Sequence, residues 1–198
     1  MNTGRQVIEA VEAFGRRYGY KIIELEDDSR IESSKTPFRP KGGSCVIWLP
    51  ILQILAYGET WYNRMGYRSK FYDQEVAHNK KIISMKYRTF ISGINQYMDY
   101  YNNAPKNYAS LQHLFEFGVK ISGKKEPTVQ EVFSKAIQKV KGLELKCDGT
   151  IPEIEWLIDV INFIETWGGC IQDDISKAKP FNIIYLRGNK TITQFKTL

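Results

Sequence analysis

The chain has 198 residues, of which 42% are hydrophobic and 13% aromatic, with a formal charge of +6. That composition is too apolar for a disordered segment and large enough for one good core. No window of about 18 apolar residues exists for a membrane span, and Val46 to Ala56, the longest candidate, is short and holds Pro50.

Residues 3 to 18 carry Val7, Ile8, Val11 and Phe14 at spacings of three and four, which predicts an amphipathic helix with Thr3 as N-cap and Gly19 as stop. Tyr20 to Glu26 follows with the β-branched content of a short strand. Residues 27 to 44 hold two prolines and two glycines and read as a long loop. Pro50 then suits the first turn of a helix whose apolar face runs through Leu52, Leu55, Trp61 and Tyr62 to Gly66. The aromatic alternation of Tyr67 to Tyr72 predicts a second strand.

Beyond this point helical periodicity dominates. Residues 74 to 101 predict one long helix or two shorter ones, and Tyr108 to Ile121 another. Val129 to Lys141 forms a further helix, opened by Thr128 with Glu131 as a capping box, and Pro152 starts one that ends at Gly168 and Gly169. Two β-prone runs around Gly188 and Asn189 predict a terminal hairpin.

One family resemblance emerges from the first third. Gly4, the helix RQVIEAVEAFGRRY, Gly19, Tyr20 and the strand KIIELE, followed by TWYNRMGYRSKFY, resemble the C-terminal half of a GNAT-type (GCN5-related) N-acetyltransferase domain. Similar WYN-type endings are familiar from large DNA viruses. The resemblance implies acetyl-CoA as cofactor, held at Asn2, Thr3, Gly4 and Arg5, because a glycine-led turn opening a helix lets backbone N–H groups and the helix dipole meet a pyrophosphate. It also implies Tyr62 as the acid that protonates the leaving thiolate. An acidic side chain near the strand end, Glu24, Glu26 or Asp27, would serve as base, with Glu24 the choice made here.

The sequence departs from the family pattern in two ways. Asn2 stands where the first glycine of the turn belongs, and the family's first strands have no counterpart upstream of Met1. The expected fold is therefore α+β and mostly helical, with a truncated GNAT-like module at residues 1 to 72, a helical region at 73 to 180 and a hairpin at 181 to 198. The expected function is that of a degenerate module acting as a non-catalytic interaction or structural protein, such as a virion component. An acetyl-CoA-dependent N-acetyltransferase is the alternative.

Partner expectations follow from charge and composition. Lys41 to Arg88 holds eight basic residues against three acidic ones, a patch interleaved with Trp61, Tyr62, Tyr67, Tyr72 and Tyr87, which makes nucleic acid a third possibility. The tyrosines of YMDYYNNAPKNY suggest a protein partner or a homo-oligomer. Cys45, Cys147 and Cys170 are odd in number and widely spaced, which predicts free thiols in a reducing, intracellular setting. His78 and His113, the only histidines, show no ligand spacing and read as structural.

Overall fold

A computed structural model describes residues 4–25, 27, 29–33, 44–100, 111–166, 170–171, 183–184 and 194–197. Near the N-terminus lie helix α1 (Gly4–Arg17) and strands β1 (Ile22–Leu25), β2 (Arg30–Glu32) and β3 (Val46–Trp48). Helices α2 (Leu49–Tyr57), α3 (Trp61–Arg64), α4 (Tyr72–Ser84), α5 (Tyr87–Tyr100), α6 (Leu111–Ser122), α7 (Val129–Val140) and α8 (Pro152–Thr166) follow. Strands β4 (Cys170–Ile171), β5 (Ile183–Ile184) and β6 (Gln194–Thr197) complete the described chain. The class is α+β and mostly helical, as the patterning predicts.

Local chemistry sets the helix limits. Pro50 sits in the first turn of α2, where its missing N–H costs nothing, and Gly58 closes that helix in the left-handed region at φ +83°, donating to the Ile54 carbonyl. Thr128 and Glu131 form the anticipated capping box on α7. The stretch from 74 to 101 resolves into two helices because Met85 is extended (ψ 160°) between them. There Tyr87 donates its N–H to the Pro127 carbonyl and Val129 to that of Met85.

Three corrections concern strands. Tyr67–Tyr72 is not a strand. Asn63 donates from Nδ2 to the Tyr67 carbonyl and Arg68 donates to that of Asn63, which folds the segment back on α3, and α4 already starts at Tyr72. Within the expected loop, Arg30–Glu32 pairs antiparallel with Val46–Trp48 in the register Arg30 to Trp48. The expected C-terminal hairpin is absent among the described residues: β5 pairs parallel with β4, whereas β6 pairs antiparallel with β1, Glu24 opposite Phe195. Each run satisfies its edge on a different strand. Gly188 and Asn189 lie outside the described residues.

One apolar core gathers residues 45–56 with residues 82–164, so α2 packs with the later helices, against α4 and α7, and residue 72 marks no break in packing. At its centre the Leu114 carbonyl accepts from both Tyr87 Oη (3.1 Å) and Trp156 Nε1 (2.9 Å). Gly118, one turn along α6, leaves room for those two rings; a Cβ there would sit 2.5 Å from Tyr87 Cε1 and 3.1 Å from Trp156 Cζ2. Cys45 and Cys147, both fully buried, form a disulfide between the start of β3 and the segment before α8, Cα to Cα 5.9 Å. The expectation of free thiols is thus corrected, and spacing in sequence could not show a pair 102 residues apart.

Glu75 is buried at the start of α4, where Ser69 Oγ donates to it at 2.6 Å. Desolvation pushes its carboxyl above the usual carboxylate range, and the Ser69 hydroxyl pulls part of the way back. A raised native pKa favours the protonated native form. The stability contributed by Glu75 is therefore complete below its ordinary value and lost as pH rises through the raised one. Glu75→Gln is expected to raise Tm at pH 7, on the order of 2 °C, and to remove this loss from the melting profile between pH 4 and 7. Equal Tm–pH slopes for both proteins would refute the assignment.

Candidate functional site

Local folding brings α1, the segment after β1, α2 and α3 to one place. Gly19, at φ +76°, ends α1 and turns the chain into β1, while Thr60 opens α3 through a capping box with Asn63. Between them lies a cavity of about 470 Å³. Gly4 and Arg5 line it from the first turn of α1, Asp27 and Ser29 from the turn after β1, Leu49, Pro50 and Gln53 from α2, and Trp61 and Tyr62 from α3.

The glycine decides the width of this slot. A Cβ on Gly4 would lie 3.5 Å from Trp61 Cη2, so a methyl is tolerated and any longer side chain projects into the cavity. The first turn of α1 adds a partial positive charge at that end, reinforced by Arg5, which also pairs with Glu9 at 3.4 Å on the exposed side of the helix. One wall therefore suits an anion.

The adjoining wall is aromatic. Tyr62 is half-buried, with its ring edge-on to Trp61 (5.1 Å between centroids) and to Tyr67 (6.3 Å). Desolvation raises its hydroxyl above the ordinary tyrosine value, and the charge of Asp27 raises it further. Asp27, only 3% exposed, accepts from Ser29 Oγ (2.5 Å) and Ser29 N (3.3 Å), an Asx-type arrangement that fixes its carboxylate.

The residues singled out in the sequence divide accordingly. Gly4, Arg5 and Tyr62 meet at the cavity; Glu24 does not line it, being exposed on β1, and of the two acids considered that are described, Glu24 and Asp27, it is Asp27 that lines it. Asn2 and Thr3 lie outside the described residues, as does Glu26. Ser29, Gln53, Leu49 and Trp61 were not anticipated at the site. Of these only Trp61, adjacent to the tyrosine in the WYN segment, carried a signal.

Four of the eight basic residues of the patch lie over the chain's own rings. Arg64 lies over Tyr57 (4.4 Å), Arg68 over Tyr72 (3.8 Å), Lys70 over Phe71 (5.4 Å) and Arg88 over Phe115 (4.3 Å), while Tyr67 and Tyr87 are fully buried. The ring of His113 packs on Phe117 at 5.7 Å. Among the described residues no cluster of three histidine, cysteine or acidic side chains could hold a metal ion, and no helix is long and apolar enough to cross a membrane.

Comparison with protein-family models, with curated proteins and with solved structures finds no match to this chain.

Proposed function

We propose that the chain is a degenerate GNAT-like module that keeps a pantetheine-type binding slot and acts as a non-catalytic interaction or structural protein. The observation that supports this reading is the convergence of Gly4, Arg5 and Tyr62 on one cavity, although 57 residues separate Arg5 from Tyr62 in sequence. A narrow slot with a helix N-terminus and an arginine at one end and Trp61 on its side suits a phosphorylated chain with an apolar arm, which is the chemistry of acetyl-CoA. Among the described residues, neither acid considered is placed as a free base for the amine. Glu24 is outside the slot, and Asp27 is held by Ser29 as a fixed acceptor.

Titration calorimetry with acetyl-CoA is expected to give micromolar binding. In Gly4→Glu the carboxylate enters the slot and meets both the phosphate and the aromatic wall, and the affinity is expected to fall at least tenfold, about 1.4 kcal/mol. No heat at millimolar ligand would end this reading.

The active N-acetyltransferase is the second reading, favoured by the place of Tyr62 in the lining of the slot. Acyl transfer to amines that falls a hundredfold or more in Tyr62→Phe would establish it. Equal rates in both proteins would dismiss Tyr62 as the acid. Nucleic-acid binding ranks behind both, since four of the eight cations of the patch lie over rings of the same chain.

The setting we infer is one in which a disulfide forms and persists. For the Cys45–Cys147 bond a reducing intracellular compartment is the poorer fit.

A further inference from the structure

Helix α1 turns its polar side inward. Glu12 (5% exposed) and Gly15 face the rest of the protein, and Glu12 approaches Tyr67, whose hydroxyl is pushed up to about 12 by burial first and by the Glu12 charge second. The apolar stripe faces out instead: Val7, Val11, Phe14 and Tyr18 are 52%, 44%, 57% and 62% exposed. Of the ten large apolar side chains exposed among the described residues, six lie between 7 and 22, the other two being Tyr20 and Ile22. Such a concentration marks a contact surface.

We infer that this stripe is the seam of a two-fold dimer in which α1 packs antiparallel on α1 of a second copy of the chain. Three features select that occupant. First, steps of four, three and four residues define a narrow helix–helix seam, whereas a helix lying on a lipid surface presents a broader apolar face. Second, an antiparallel two-fold register centred between Val11 and Phe14 sets Val11 against Phe14 and Val7 against Tyr18 of the partner copy, a small side chain facing a ring at every layer. A parallel pair would set ring against ring. Ala10 beside the seam is small and exposed and permits close approach, and the helix dipoles oppose.

Third, the area is sufficient. Scaled by exposure, with aromatic side chains at about 150–250 Å² each, the four seam residues offer roughly 400 Å² per copy, and Tyr20 and Ile22, which continue the apolar patch past the end of α1, roughly 200 Å² more. A pair covering them buries about 1,200 Å², the lower bound for a specific interface. The dimer is accordingly a reversible one. It is independent of whether the slot binds any ligand.

Sedimentation velocity of the full chain at micromolar and at hundred-micromolar concentration tests it. The expected result is a monomer–dimer equilibrium whose dissociation constant rises at least a hundredfold in Phe14→Glu and in Val11→Glu, but not in Tyr57→Glu, which changes an exposed ring away from α1. Far-UV circular dichroism shows that the variants remain folded, since the replaced side chains are outside the core. A monomer at every concentration, or a dimer unaffected by Phe14→Glu, overturns the inference. So does a monomer that sediments with phosphatidylserine vesicles through Phe14, which would assign the stripe to lipid.

Discussion

Removing the Cys45–Cys147 bond is expected to destabilise the chain by about 4–5 kcal/mol, the chain-entropy value for a loop of roughly 100 residues. The measurement is urea unfolding of the oxidised protein against the same protein in reductant and against the Cys45→Ala, Cys147→Ala double variant. Total stabilities of single domains run about 5–15 kcal/mol, so the loss approaches the whole margin. Its size follows from position. Both sulfurs are fully buried, and the bond joins β3, which packs on α8, to the segment leading into α8, so the oxidised unfolded chain is shortened across most of its core-forming length. Free thiol titration of the unreduced protein gives an independent reading: one accessible thiol on unfolding, from Cys170, against three if the bond is absent.

Trp156→Ala is expected to cost about 3–5 kcal/mol, with the unfolding midpoint falling accordingly. Trp156 is 1% exposed, lies 5.7 Å from the Phe133 ring and 6.2 Å from that of Phe117, and donates to the Leu114 carbonyl. Its removal leaves a cavity bounded by α6, α7 and α8. Trp156→Phe separates the contributions, because it keeps most of the ring volume and surrenders the hydrogen bond while Tyr87 still serves the same carbonyl; about 1–2 kcal/mol is expected. If Trp156→Ala unfolds within 1 kcal/mol of the natural protein, the ring is not at the centre of the core.

Elements governed by short-range chemistry were legible in the sequence. Thr128 with Glu131, Pro50 and Pro152 announce helix starts because capping and proline sterics act within a few residues, whereas the helix expected to run from Pro50 to Gly66 stops at Gly58 and a separate α3 opens at Thr60. The α1 helix was equally visible, yet which side it buries was not. Val7, Val11 and Phe14 mark one stripe of an amphipathic helix, but the inward positions are held by Glu12 and Gly15, and the choice is made by what α1 meets in space. Tyr67–Tyr72 failed for a related reason. An alternating aromatic pattern is shared by strands and by a turn held through Asn63 and Arg68, and only the latter bonds decide. At the site, Gly4 and Tyr62 were named from a resemblance, whereas Asp27 displaced Glu24 because a two-strand sheet aims side chains that sequence cannot aim.

The shared start of α5 and α7 carries a consequence for how the chain folds. Tyr87 N–H reaches the Pro127 carbonyl and Val129 N–H reaches that of Met85, so each helix draws a partner for its opening amide from the residue just ahead of the other. Neither first turn is complete until a segment some 40 residues distant has arrived. Local helix nucleation there is tied to loop closure, and the two helices enter and leave the ordered state together as one cooperative unit.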